Sequence, residues 1–74
     1  MSQNIILLNS VKPEEKDILL LLEKESKCLY GNIFNELNLS PRKGAALILS
    51  LLTKGYIRNV GTSSFYELNG TLIK

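Results

Sequence analysis

The side chains that carry most enzyme chemistry are scarce in this 74-residue chain: it has no histidine and one cysteine, Cys28. Histidine general bases, Ser–His and Cys–His nucleophile pairs, histidine metal sites, an internal disulfide and a Cys-rich zinc site are therefore ruled out. Cys28 reads as a small buried hydrophobe. A free thiol without a secretory signal suits a reducing, cytoplasmic setting. The tightest carboxylate group, Glu14, Glu15 and Asp17, falls in the first turn of an expected helix, where solvation and the helix dipole account for it. Tyr30, Tyr56 and Tyr66 have no evident acid–base partner, and neither a phosphate loop nor a metal motif occurs. The expectation is a protein without catalytic activity, cofactor or metal.

Charge offers a different chemistry, the binding of a polyanion. The net charge of +2 is unevenly spread: residues 1–39 carry −2, whereas residues 40–74 carry +4, from Arg42, Lys43, Lys54, Arg58 and Lys74 against Glu67 alone. A nucleic acid would be sought at the second end. Each cation also has a plainer reading. Arg42 and Lys43 suit a solvated helix start, Arg58 suits the guarding of an exposed strand, and Lys54 suits compensation of a helix C-terminal dipole.

The elements that must position these residues follow from patterning. Leu, Ile, Val and Phe make up 26 of the 74 residues, enough for one core, and a chain this short buries only about 60% of its unfolded surface. No apolar run exceeds five residues, the length of Ile18 to Leu22, far below the roughly 20 that span a bilayer, so no membrane is expected. Pro13 followed by Glu14, Glu15 and Asp17 starts a helix over about 13–25. Ile18, Leu21 and Leu22 form its buried stripe, widened by Leu19 and Leu20. After the short apolar piece Cys28-Leu29-Tyr30, a second helix covers about 31–37 and stops at Asn38, a residue that tolerates the left-handed conformation. Ser40-Pro41 restarts a third helix, about 41–54, ended by Gly55. Its inward face is Gly44, Leu47, Ile48 and Leu51; its outward face is Arg42, Ala46, Leu49 and Thr53. Residues 56–60 and 65–68 are β-rich around the turn Gly61-Thr62-Ser63-Ser64, which predicts a hairpin. The expected organisation is an arm over 1–12, a domain over 13–68 and a tail over 69–74.

Three stretches in this order resemble the winged helix-turn-helix superfamily: Ile33-Phe34-Asn35-Glu36-Leu37-Asn38-Leu39-Ser40, Leu51-Leu52-Thr53-Lys54-Gly55-Tyr56-Ile57-Arg58, and Phe65-Tyr66-Glu67-Leu68. The likeness is to small prokaryotic regulators and, in the Leu-rich third helix and the Lys-Gly-Tyr-Ile-Arg run, to the C-terminal winged-helix domain of DNA-processing protein A. Asn38 stands where the family usually has Gly, and Leu29 lies near a position that usually caps. The resemblance implies an α+β fold, a three-helix helix-turn-helix core with a C-terminal β-hairpin wing. It further implies a transcriptional regulator that reads double-stranded DNA with the third helix and contacts the backbone with the wing. Residue by residue it nominates Ser40, Arg42, Lys43, Ala46, Ser50 and Thr53 on the helix, and Arg58, Thr62 and Ser63 on the wing. Arg42 has the donor geometry for a guanine edge, and Lys43 suits a phosphate. A homodimer would raise affinity by pairing half-sites, using Ile5–Leu8 with Leu19 or Leu20. Leu49 argues the other way, because an outward leucine can touch a thymine methyl but cannot hydrogen-bond a base. The alternative is a winged-helix protein-interaction or dimerisation module that uses the apolar face of the third helix around Leu49; Ile5, Leu7, Leu20 and Leu49 are the candidate protein-interface residues.

Overall fold

The computed structural model describes residues 4–74 and has an α+β architecture. Its elements are β1 (Asn4–Leu7), a 3-10 turn (Leu8–Ser10), α1 (Pro13–Glu25), β2 (Lys27–Leu29), α2 (Tyr30–Leu37), α3 (Pro41–Lys54), β3 (Ile57–Asn59), β4 (Phe65–Leu68) and β5 (Gly70–Ile73). β3 and β4 pair antiparallel as the expected hairpin, and β2 pairs antiparallel with the other edge of β4, giving the order β2-β4-β3.

The helices begin and end where local chemistry dictates. Ser40 accepts from the Lys43 amide (3.3 Å) and Pro41 opens α3 without wasting a donor. Asn38 (φ 56°) and Gly55 (φ 78°) terminate α2 and α3 in the left-handed region. Leu29, at the start of α2, provides no side-chain cap. The first α2 amide, Tyr30 N–H, instead donates to the Ser64 carbonyl at 3.0 Å, so the hairpin helps to hold α2.

One core joins all three helices: Ile18, Leu19 and Leu22 of α1, Ile33 of α2, Leu47, Ile48 and Leu51 of α3, with Cys28 and Ile57 from the strands. Leu19 is fully buried there and is lost to any dimer contact, while Leu20 is half-buried against the same core. Gly44 is where α3 meets α2: a Cβ there would stand 2.6 Å from Phe34 Cδ1. Gly44→Ala must displace that ring and is expected to cost about 1–3 kcal/mol, measurable as a lower urea midpoint with unchanged m-value.

The arm and the tail are not separate from the domain. β1 and β5 form a two-stranded parallel sheet, with Ile5 opposite Thr71, Ile6 opposite Leu72 and Leu7 opposite Ile73. Ile6 is fully buried and Leu8 nearly so, which makes them members of the core. The expected boundaries at residues 13 and 68 therefore move outward to include both strands; residues 1–3 of the arm lie outside the described residues. Alternation along β1 turns Ile5 and Leu7 away from the core, and Ile73 joins them on that outer face.

Candidate nucleic-acid interface

Most of the sequence-nominated residues lie on α3 and the hairpin beside it. Arg42, Ala46, Leu49 and Thr53 recur at i, i+4, i+7 and i+11 and are all exposed, so they make one solvent-facing stripe. Ser40 and Lys43 flank its N-terminal end, both exposed; Thr62 and Ser63 are exposed at the hairpin tip. The tip is built by Ser63, whose amide and hydroxyl both donate to the Val60 carbonyl, at 3.2 and 2.5 Å, and by Gly61 at φ 61°. Between the stripe and the hairpin runs a groove of about 360 Å³, lined by Ala45, Leu49 and Leu52 on one side and Asn59, Ser63 and Tyr66 on the other. Leu49 is 64% exposed at its edge.

Ser50 does not belong to this surface. It is half-buried and its hydroxyl donates to Glu15 Oε2 at 2.6 Å, so it faces α1 and is withdrawn from the DNA-contacting set. Glu15 itself is fully buried, contrary to the solvated carboxylate expected at a helix start. Oε1 accepts from the Lys12 amide (3.1 Å) and from Lys54 Nζ (3.0 Å), which also reaches Oε2 (3.3 Å). Burial pushes the Glu15 carboxyl pKa up, but the Ser50 hydroxyl, the Lys12 amide and the Lys54 ammonium together outweigh it and hold the pKa below its ordinary value. Lys54 is thus the counter-ion of a buried carboxylate as well as a cation at a helix C-terminus. The acid cluster in the sequence contained the clue: one member of a first-turn Glu-Glu pair can turn inward when the facing helix supplies donors.

The same pairing redistributes the basic charge. Lys43 pairs with Glu14, Lys54 with Glu15, Arg58 with Glu67 (2.7 Å) and Lys74 with Glu23 (2.7 Å). Of the five cations in residues 40–74, Arg42 alone has no ion-pair partner among the described residues. Sequence position therefore overstated the positive field, because the acids of α1 lie across from α3. Lys43 and Arg58 are 55% and 61% exposed at the side chain. Exposed pairs of this kind contribute at most about 1 kcal/mol and can be exchanged for phosphate, whereas Lys54 is held by a buried carboxylate that has no other counter-ion among the described residues.

The remaining candidates lie elsewhere. Ile5 and Leu7 are 59% and 49% exposed on the outer face of the β1–β5 sheet, next to Ile73 at 46%. Ile73 had no signal in the sequence, since its role depends on a pairing between the two ends of the chain. Phe65 is half-buried, with Lys27 Nζ 5.0 Å from its ring centre. Cys28 is buried, and burial, reinforced by Glu25 and Glu36, pushes its thiol pKa up, which disfavours the reactive thiolate. No helix is long and apolar enough to cross a membrane among the described residues. Comparison of the chain with protein-family models, with curated proteins and with solved structures finds no match.

Proposed function

We propose that this chain is a winged helix-turn-helix domain that binds double-stranded DNA and serves as a small transcriptional regulator. The element order α1-β2-α2-α3-β3-β4 and the strand order β2-β4-β3 support the fold. The observation that carries the function is Arg42, exposed and without an ion-pair partner among the described residues, at the N-terminal end of a helix whose outer stripe is exposed and which a hairpin flanks. In this reading α3 enters the major groove, Arg42 meets a guanine edge, Lys43 and Arg58 exchange their carboxylates for phosphates, and the hydroxyls of Ser40 and Thr62 approach the backbone, while that of Ser63, already donating to the Val60 carbonyl, shapes the tip.

Three cations give a salt slope of only about −2 to −3 per domain, so binding by one copy is weak. A second copy, paired through Ile5, Leu7 and Ile73, would compensate by engaging two half-sites. Titration with mixed-sequence duplex at low and moderate salt tests the reading. Arg42→Ala is expected to weaken binding by about 1–3 kcal/mol. A chain that ignores duplex DNA at low salt refutes the proposal, and a strict monomer at high micromolar concentration refutes the dimer.

Leu49 favours a second reading, a protein-interaction module. Its exposure beside the groove gives about 1.5–3 kcal/mol of burial to a partner, as much as one bidentate base contact. The two separate when the parent chain is titrated with duplex at low salt: a chain that ignores DNA but forms a protein complex lost on Leu49→Glu is the interaction module.

A further inference from the structure

A side chain in the major groove distinguishes bases either by hydrogen bonds to their edges or by apolar contact with the thymine C5-methyl group. Beyond Arg42, α3 has little left for the first kind. The Thr53 hydroxyl donates to the Leu49 carbonyl at 2.8 Å, the Ser50 hydroxyl to Glu15 at 2.6 Å, and Lys43 pairs with Glu14. What the stripe presents is Ala46 and Leu49, both exposed and one turn apart. We infer, resting on the DNA-binding reading, that α3 reads a pyrimidine C5-methyl group, with Leu49 as the specificity-determining contact and Ala46 beside it.

The same features that seemed to favour a protein partner then have a nucleic-acid role. Apolar side chains without competing donors cannot pair with a base edge, but they can desolvate a methyl. Spacing sharpens the expectation. Arg42 and Leu49 are seven residues apart, about 10 Å along a helix at a rise of 1.5 Å per residue. At about 3.4 Å per base step, the methyl under Leu49 lies roughly three base pairs from the guanine under Arg42. Thymine and 5-methylcytosine present the same group at that place, and Leu49 has nothing with which to tell their edges apart.

The test starts from random-sequence duplexes retained by the full chain. The retained sequence is then rebuilt with deoxyuridine in place of thymidine, which removes the methyl and leaves every base-edge hydrogen bond intact. Affinity should fall about fourfold for each contacted methyl. Leu49→Ala, a change at an exposed position, should erase the difference between the two duplexes, whereas Arg42→Ala should weaken both alike. At the same step, 5-methylcytosine should bind better than cytosine. Equal affinity for the thymidine and deoxyuridine duplexes overturns the methyl readout while leaving DNA binding standing, as does affinity that follows base identity regardless of the methyl. If no duplex is retained, the DNA-binding reading fails and this inference fails with it.

Discussion

Glu15→Ala is expected to destabilise the domain by about 2–4 kcal/mol, a large share of what so small a fold possesses. The substitution removes the shared acceptor of the Lys12 amide, the Ser50 hydroxyl and the Lys54 ammonium. Lys54, 39% exposed at its side chain, can turn to water, so most of the loss comes from the other two donors and the space left behind. Glu15→Gln keeps an acceptor of the same shape and should cost less than half as much. The two variants also differ from the parent in acid. Because the folded-state pKa of Glu15 is held below its ordinary, unfolded value, the unfolded chain takes up the proton first. The stabilisation is complete above the unfolded pKa and is lost as pH falls through the folded one. Urea melts from pH 7 down to pH 3 should therefore show a shallower acid limb in both variants. An acid limb unchanged in Glu15→Gln would show that the carboxylate is not held in its ionised form.

Gly70→Ala is expected to cost about 3 kcal/mol through a different mechanism. In the parallel register Gly70 lies opposite Asn4, and a Cβ on it would run into the Asn4 carbonyl oxygen and stand 3.0 Å from its carbon. A flexible ring, such as the one facing Gly44, can move aside; a backbone carbonyl within a strand pair cannot. Relief requires β1 and β5 to separate, which uncovers Ile6 and Leu8, each worth about 1.5–3 kcal/mol when buried. Amide exchange checks this locally: protection across Asn4–Leu7 and Gly70–Ile73 should collapse while α1 and α3 keep theirs. Equal protection in parent and variant would mean that the glycine is not required.

These two sites also mark what the sequence concealed. The three helices were legible almost to the residue, because Pro13, Asn38, Ser40-Pro41 and Gly55 carry their boundaries in local backbone chemistry. The hairpin was legible for the same reason. Glu15 and the β1–β5 pair were not, because neither is a local event. A first-turn glutamate looks the same whether it faces water or a facing lysine, and residues 69–74 read as a tail until Asn4 is known to lie against Gly70. The candidate site was legible as a helix face but not as an electrostatic surface. The outward stripe Arg42-Ala46-Leu49-Thr53 followed from 100° per residue, whereas the pairing of Lys43 and Lys54 with Glu14 and Glu15 depended on how α1 packs on α3.

The pairing of β1 with β5 has a consequence for the order of folding. Asn4 and its partner Gly70 stand 66 positions apart in the sequence, so closing this sheet closes a long loop, and such contacts form late. The helices and hairpin, whose contacts are local, can gather first, with Ile6 uncovered until β5 docks beside β1. The intermediate so formed presents an apolar strand, and that strand is the segment for which a chaperone or a neighbouring unfolded copy would compete.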